Sequence, residues 1–137
     1  MPFEVPVIPM GIDTAAFQSV DRHAARLTLG LAPESPVLLY FGRLAADKCD
    51  LLPLLLAFSD LSKESGATLV IAGDDTQFRM APALLAAARD LACADQVRVL
   101  ADVSRQGKLE LFAAADIFVS PTENTQQKMI IPTPIAI

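Results

Sequence analysis

Arg43 and Lys48 lie five positions apart, just after the apolar run Leu39-Tyr40-Phe41 and a glycine, Gly42. Two cations of different shape at the end of a buried strand suit an anion. Arginine grips phosphate oxygens with a planar fork, and lysine adds a compact point charge. The glycine lets the backbone turn sharply and come close to what is bound, and in open α/β sheets ligands sit outside the carboxyl ends of the strands. The chemistry expected is binding of a phosphate-bearing ligand. Spacing alone leaves a second reading open, in which both residues are ordinary solvated charges.

Other residues that could do chemistry are few. Asp74 and Asp75 adjoin each other after an apolar run, where paired carboxylates can coordinate magnesium, or where they can form a turn and cap a helix. His23, the one histidine, stands beside Asp21 and Arg22 with no nucleophile or metal-ligand partner at a catalytic spacing, and reads as a solvated helix residue. Cys49 and Cys93 are far apart and lack metal-ligand spacing, so two free thiols in a reducing compartment are expected. A net charge of −5 argues against nucleic-acid binding, so any phosphate must be met by local cations.

The elements that must position these residues alternate along the chain. Val37 to Phe41 is a continuous apolar strand, followed by a helix from about Leu51 to Lys63 with Asp50 as its cap and Pro53 in its first turn. Thr68 to Ala72 repeats the strand and ends at Gly73-Asp74-Asp75, before a helix around Pro82 to Ala92. Val97 to Leu100, a helix over Lys108 to Ala114, and Ile117 to Val119 complete the series. Apolar strands without alternation require a sheet covered on both faces, so the fold class is α/β with a doubly wound, largely parallel, Rossmann-like sheet. With 137 residues, 53% hydrophobic and 20% charged, the chain suits one globular domain. Its longest apolar stretch, Leu51 to Phe58, falls well short of the ~20 residues that span a bilayer. The first residues lack the basic start and apolar core of a signal peptide, so a cytoplasmic protein with no transmembrane segment is expected. Val5 to Leu31 stands apart from the alternation: an extended start, a turn at Gly11 and one helix carrying Arg22 and Arg26 on one face, punctuated by prolines like an interdomain linker.

From about Val7 to Gln126 the sequence resembles the C-terminal, donor-binding half of a GT-B glycosyltransferase, of the large retaining group classed as family 4. The resemblance is carried by Val7-Ile8-Pro9-Met10-Gly11-Ile12-Asp13, by Phe41-Gly42-Arg43-Leu44 with Lys48, by Ile71-Ala72-Gly73-Asp74, and by the stretch from Phe112 to Asn124 that contains Ala115-Asp116 and Ser120-Pro121-Thr122-Glu123. It implies that a nucleotide-diphosphate sugar is the donor substrate, with Arg43 and Lys48 holding its diphosphate and stabilising the leaving group, beside Gly42. No metal or other cofactor is required in that chemistry. Val99, Leu100 and Val103 match the stretch where the family's backbone meets the nucleotide base, although a strand end with Asp102 fits a plain turn equally well. Glu123 joins the donor-binding set on the same ground. The resemblance also favours the turn-and-cap role for Asp74 and Asp75.

The tail departs from the pattern. Relatives follow the Ser-Pro-Thr-Glu-Asn-Thr-Gln stretch with a glutamate, a Phe-Gly pair and a second glutamate. This chain has Gln127 and Ile135 at the two glutamate positions and no Phe-Gly pair. The expected organisation is a linker-like segment and helix over 1–31, an incomplete nucleotide-sugar-binding domain over 32–126, and a divergent tail over 127–137. On this reading the chain is a truncated or frameshifted piece of a retaining glycosyltransferase. It lacks the N-terminal acceptor domain, is inactive alone and self-associates through an exposed sheet edge. The alternative is a non-catalytic α/β module that binds nucleotide or phosphate or serves in interaction. A receiver domain would need its acids after the first strand, and a dinucleotide-binding domain a glycine-rich fingerprint there; Gly42-Arg43-Leu44-Ala45 supplies neither.

Overall fold

The computed structural model describes residues 6–45 and 51–121. Val37–Phe41 forms β1, Thr68–Gly73 β2, Val97–Ala101 β3 and Ile117–Phe118 β4, and they pair in the order β3-β2-β1-β4, every pair parallel. The helices in chain order are α1 (Thr14–Gln18), α2 (Arg22–Thr28), α3 (Leu52–Ser65), α4 (Ala81–Asp90) and α5 (Arg105–Ala114). The continuous apolar runs are explained by what covers them. Leu69 and Ile71 of β2 join Tyr40 in one core layer, against Leu55, Phe58, Leu84 and Ala88. Val70 and Ala72 point the other way and join Leu39 against Ala25, Leu111 and Ala114. Successive side chains of one strand thus feed two cores, so polar residues have no place in it.

Helices α3 and α4 cover the first face. Pro53 sits in the first turn of α3, where its missing N–H breaks no helical bond, and Gly66 ends the helix in the left-handed region at φ +62°. Leu51 holds the cap position without a side-chain hydrogen bond; Asp50, the expected cap, lies outside the described residues. Helix α4 stops at Asp90, two residues short of the expected end, and Ala92 turns left-handed at φ 55°. Helix α5 covers the opposite face and begins three residues before the expected start, because the Ser104 hydroxyl accepts from the Gly107 N–H at 3.0 Å. Its crossing brings the chain back past β1 to β4.

The leading segment departs from expectation by forming two helices, α1 and α2, instead of one. Asp13 caps the first by accepting from the Ala16 N–H at 3.2 Å, and Asp21 starts the second by accepting from the Ala24 N–H at 2.8 Å. A second cap interrupts what would otherwise be one helix. Arg22 and Arg26 do share a face, and both reach Asp116, just before β4. Arg26 is only 2% exposed. Its Nε donates to the Ala114 carbonyl at 3.0 Å, one terminal nitrogen to the carbonyls of Ala32, Pro33 and Ser35, and the other to Asp116 Oδ2 at 2.8 Å. Arg22 pairs with Asp116 Oδ1, and the Val37 N–H donates to Oδ2 at 2.8 Å.

Burial alone would push the Asp116 carboxyl up, but the hydrogen bonds from Arg22 and Val37 and the charges of both arginines hold it below its ordinary 3.8. A carboxylate with a depressed folded-state pKa contributes stability that is fully present above the unfolded value and is lost as pH falls through the folded one. Asp116→Asn should therefore lower the thermal midpoint at neutral pH, and its curve should approach that of the parent protein as the pH is taken below about 4. Melting curves across that range check this; parallel curves at every pH would contradict it.

Candidate functional site

At the carboxyl ends of β1, β2 and β3 the chain leaves a pocket of about 530 Å³ lined by Phe41, Gly42, Arg43, Gly73, Asp74, Asp102 and Val103. Backbone hydrogen bonds lace the three strand ends together. Gly42 N–H donates to the Ala72 carbonyl at 3.0 Å, Leu44 N–H to that of Asp74 at 2.8 Å, and Asp102 N–H to that of Gly73 at 2.7 Å. The first two strands come so close that a Cβ on Gly73 would lie 1.8 Å from the Gly42 carbonyl oxygen, and Gly73 itself has φ +143°. Only glycine fits there.

Arg43 is exposed, and the Tyr40 hydroxyl donates to its carbonyl at 3.1 Å, fixing the turn that carries it. The guanidinium has no hydrogen bond or ion pair among the described residues, unlike those of Arg22, Arg26 and Arg98. Across the pocket Asp74 accepts from the Thr76 hydroxyl at 2.6 Å and the Thr76 N–H at 3.0 Å. These bonds, with a smaller contribution from the charge of Arg43, hold its carboxyl below the usual value. Asp75 is buried and caps α4, accepting from the N–H groups of Met80 at 2.5 Å and Ala81 at 2.9 Å. The two aspartates therefore serve a turn and a cap.

The structure gathers Gly42, Arg43 and Val103 at one pocket and leaves Val99 and Leu100 out of its lining. Both lie inside β3, where alternation sends Val99 toward the α3 and α4 layer and Leu100 toward the α5 layer. Lys48 and Glu123 lie outside the described residues. Gly73 and Asp102 also line the pocket, and neither belongs to the set expected from the sequence. A glycine closing an apolar run marks the first, while the left-handed backbone of Asp102, φ 55°, has no signal in the sequence. His23 is exposed on α2, and Cys93 is a buried free thiol whose pKa is pushed up by burial; Cys49 lies outside the described residues. Among the described residues no helix is long and apolar enough to cross a membrane.

The family described as glycosyl transferases group 1 matches residues 35–134, most of the chain and all four strands. The chain belongs to that family. Among similar glycosyl transferases, the D-inositol 3-phosphate glycosyltransferase of Actinosynnema mirum is 32% identical over 129 residues, covering 90% of this chain and 31% of that protein. The enzyme of the same description from Mycolicibacterium gilvum is 33% identical over 125 residues, covering 90% and 27%. This group 1 chain thus spans about a third or less of the length of the curated relatives it matches. Among solved structures, a glycosyltransferase from Rickettsia africae matches with a TM-score of 0.70 at 17% identity over 82% of this chain and 30% of that one. Sucrose-phosphate synthase from Thermosynechococcus elongatus matches with 0.65 at 22% identity over 84% and 28%. Both show the same parallel α/β architecture.

Proposed function

We propose that this chain is the donor-binding part of a retaining glycosyltransferase and that the pocket takes the diphosphate of a nucleotide-diphosphate sugar. The observation that carries this reading is Arg43, set at the strand ends over the pocket with its guanidinium uncommitted among the described residues. As the bond between the sugar's anomeric carbon and the diphosphate breaks, negative charge grows on the departing oxygen. A fixed cation there stabilises the transition state more than the ground state. Lys48 supplies a second cation and Glu123 a contact to the donor on the strength of the family pattern, and side-chain cations take the role that a metal has in other transferases. The acceptor is held by a part of the protein beyond this chain, so sugar transfer by the chain alone is expected to be negligible. The setting proposed is the cytoplasm.

Calorimetric titration with nucleoside diphosphates tests the assignment. Arg43→Ala should weaken binding by roughly 1–3 kcal/mol, the scale of a charge-assisted hydrogen bond removed. Arg43→Lys should recover only part of it, because the fork is lost. Affinity unchanged in both variants would remove the pocket from consideration.

A further inference from the structure

Building on the reading of this pocket as a nucleotide site, we propose that Asp102 selects the base and favours guanine. Arg43 is the one cation among the residues that line the pocket, and Asp74 and Asp102 are its two carboxylates. Arg43 stands at the end of β1 and Asp102 at the end of β3, with β2 between them. Neighbouring strands are about 4.8 Å apart, so the two ends are separated by about 10 Å. A nucleoside diphosphate spans that gap with its phosphates at Arg43 and its base at Asp102. Asp74 stands beside Arg43 and shares its charge, whereas the opposite orientation would bring phosphate oxygens against Asp102 with no lining cation beside it.

The Asp102 carboxylate is held in place yet retains acceptor capacity. Its backbone is left-handed at φ 55°, its N–H is fixed by the Gly73 carbonyl at 2.7 Å, and its Oδ1 accepts from the Asp75 N–H at 3.3 Å. Its Oδ2 has no partner among the described residues. A carboxylate accepts hydrogen bonds and offers none, so it reads the donor groups of whatever lies against it. Guanine presents two adjacent donors, the ring N1–H and the 2-amino group. Uracil presents one N–H between two carbonyl oxygens, which a carboxylate repels. Asp102 is exposed, so the discrimination expected is on the scale of one hydrogen bond to a charged group.

The test is calorimetry of the whole chain with GDP, inosine diphosphate, which lacks only the 2-amino group, and UDP. The parent protein should bind GDP about tenfold or more tightly than either of the others, the scale of a hydrogen bond to a charged group. Asp102→Asn should bring the three affinities together by weakening GDP while leaving UDP unchanged or stronger. Asp102→Gly, which accepts the left-handed backbone without strain, should do the same and guards against a folding defect in the first variant. Equal affinities in the parent overturn the proposal, as does an equal loss for all three ligands in the variants, which would mean that the carboxylate meets the ribose or only braces the loop. Absence of binding by any nucleotide would instead defeat the reading of the pocket itself, and this proposal with it.

Discussion

Gly73→Ala is expected to remove the pocket and lower stability by roughly 2–6 kcal/mol, adding the strain of a disfavoured backbone to that of an overfilled contact. The obstacle is backbone: the new Cβ would meet the Gly42 carbonyl oxygen at 1.8 Å, and the Gly42 N–H is itself bonded to Ala72. Neither group can swing away as a side chain would. Relief requires the ends of β1 and β2 to part, which breaks the bond from Leu44 N–H to Asp74 and tilts Arg43 away from Asp102. Gly66→Ala is the comparison. That residue is also left-handed, at φ +62°, but a Cβ there meets nothing within 4 Å, so its cost should stay near ~1 kcal/mol. Chemical denaturation of the two variants checks the difference, and equal midpoints would show that the close approach of the strands does not matter.

Arg26→Ala should destabilise by about 3 kcal/mol, the low end of the cost of removing one member of a buried ion pair. The figure is kept low because Asp116 is partly exposed and retains Arg22. The main loss is the four backbone carbonyls, of Ala114, Ala32, Pro33 and Ser35, left without their shared donor. Arg26→Lys should recover little, since an ammonium cannot serve partners spread around a planar fork. Arg98→Ala, which frees only the exposed carbonyls of Leu29 and Gly30, should cost less than about 1 kcal/mol. Denaturant midpoints that rank Arg98→Ala at or above Arg26→Ala would refute the account.

Val37–Phe41 is legible in the sequence to the residue because a strand buried on both faces admits no polar interruption, and the same pattern marks β2; β3, at the sheet edge, tolerates Arg98. Gly42-Arg43 is legible for a related reason: a glycine and a cation cannot continue such a run, so they mark its end and the edge of the pocket together. Local pattern fails where the cause is distant. Arg26 looks like one of two helix-surface cations, and its burial depends on groups 88 and 90 positions away. Asp21 looks like one more polar helix residue until its carboxylate is seen closing on Ala24. The expectation for Val99 and Leu100 ends the third strand too early; the ladder with β2 runs on to Ala101, so the first residues free to face a ligand are Asp102 and Val103.

The reach of Arg26 also sets an order on the making of this protein. During synthesis Ala114 and Asp116 emerge about 90 residues after Arg26, an interval of roughly 5–20 s at ordinary elongation rates. Over that time the arginine can reach only the nearby carbonyls of Ala32, Pro33 and Ser35, and α2 has no α5 to lie against. The α2–α5 layer therefore cannot close until Ala114 is made, and a ribosome stalled just before it would carry a sheet with that face still wet.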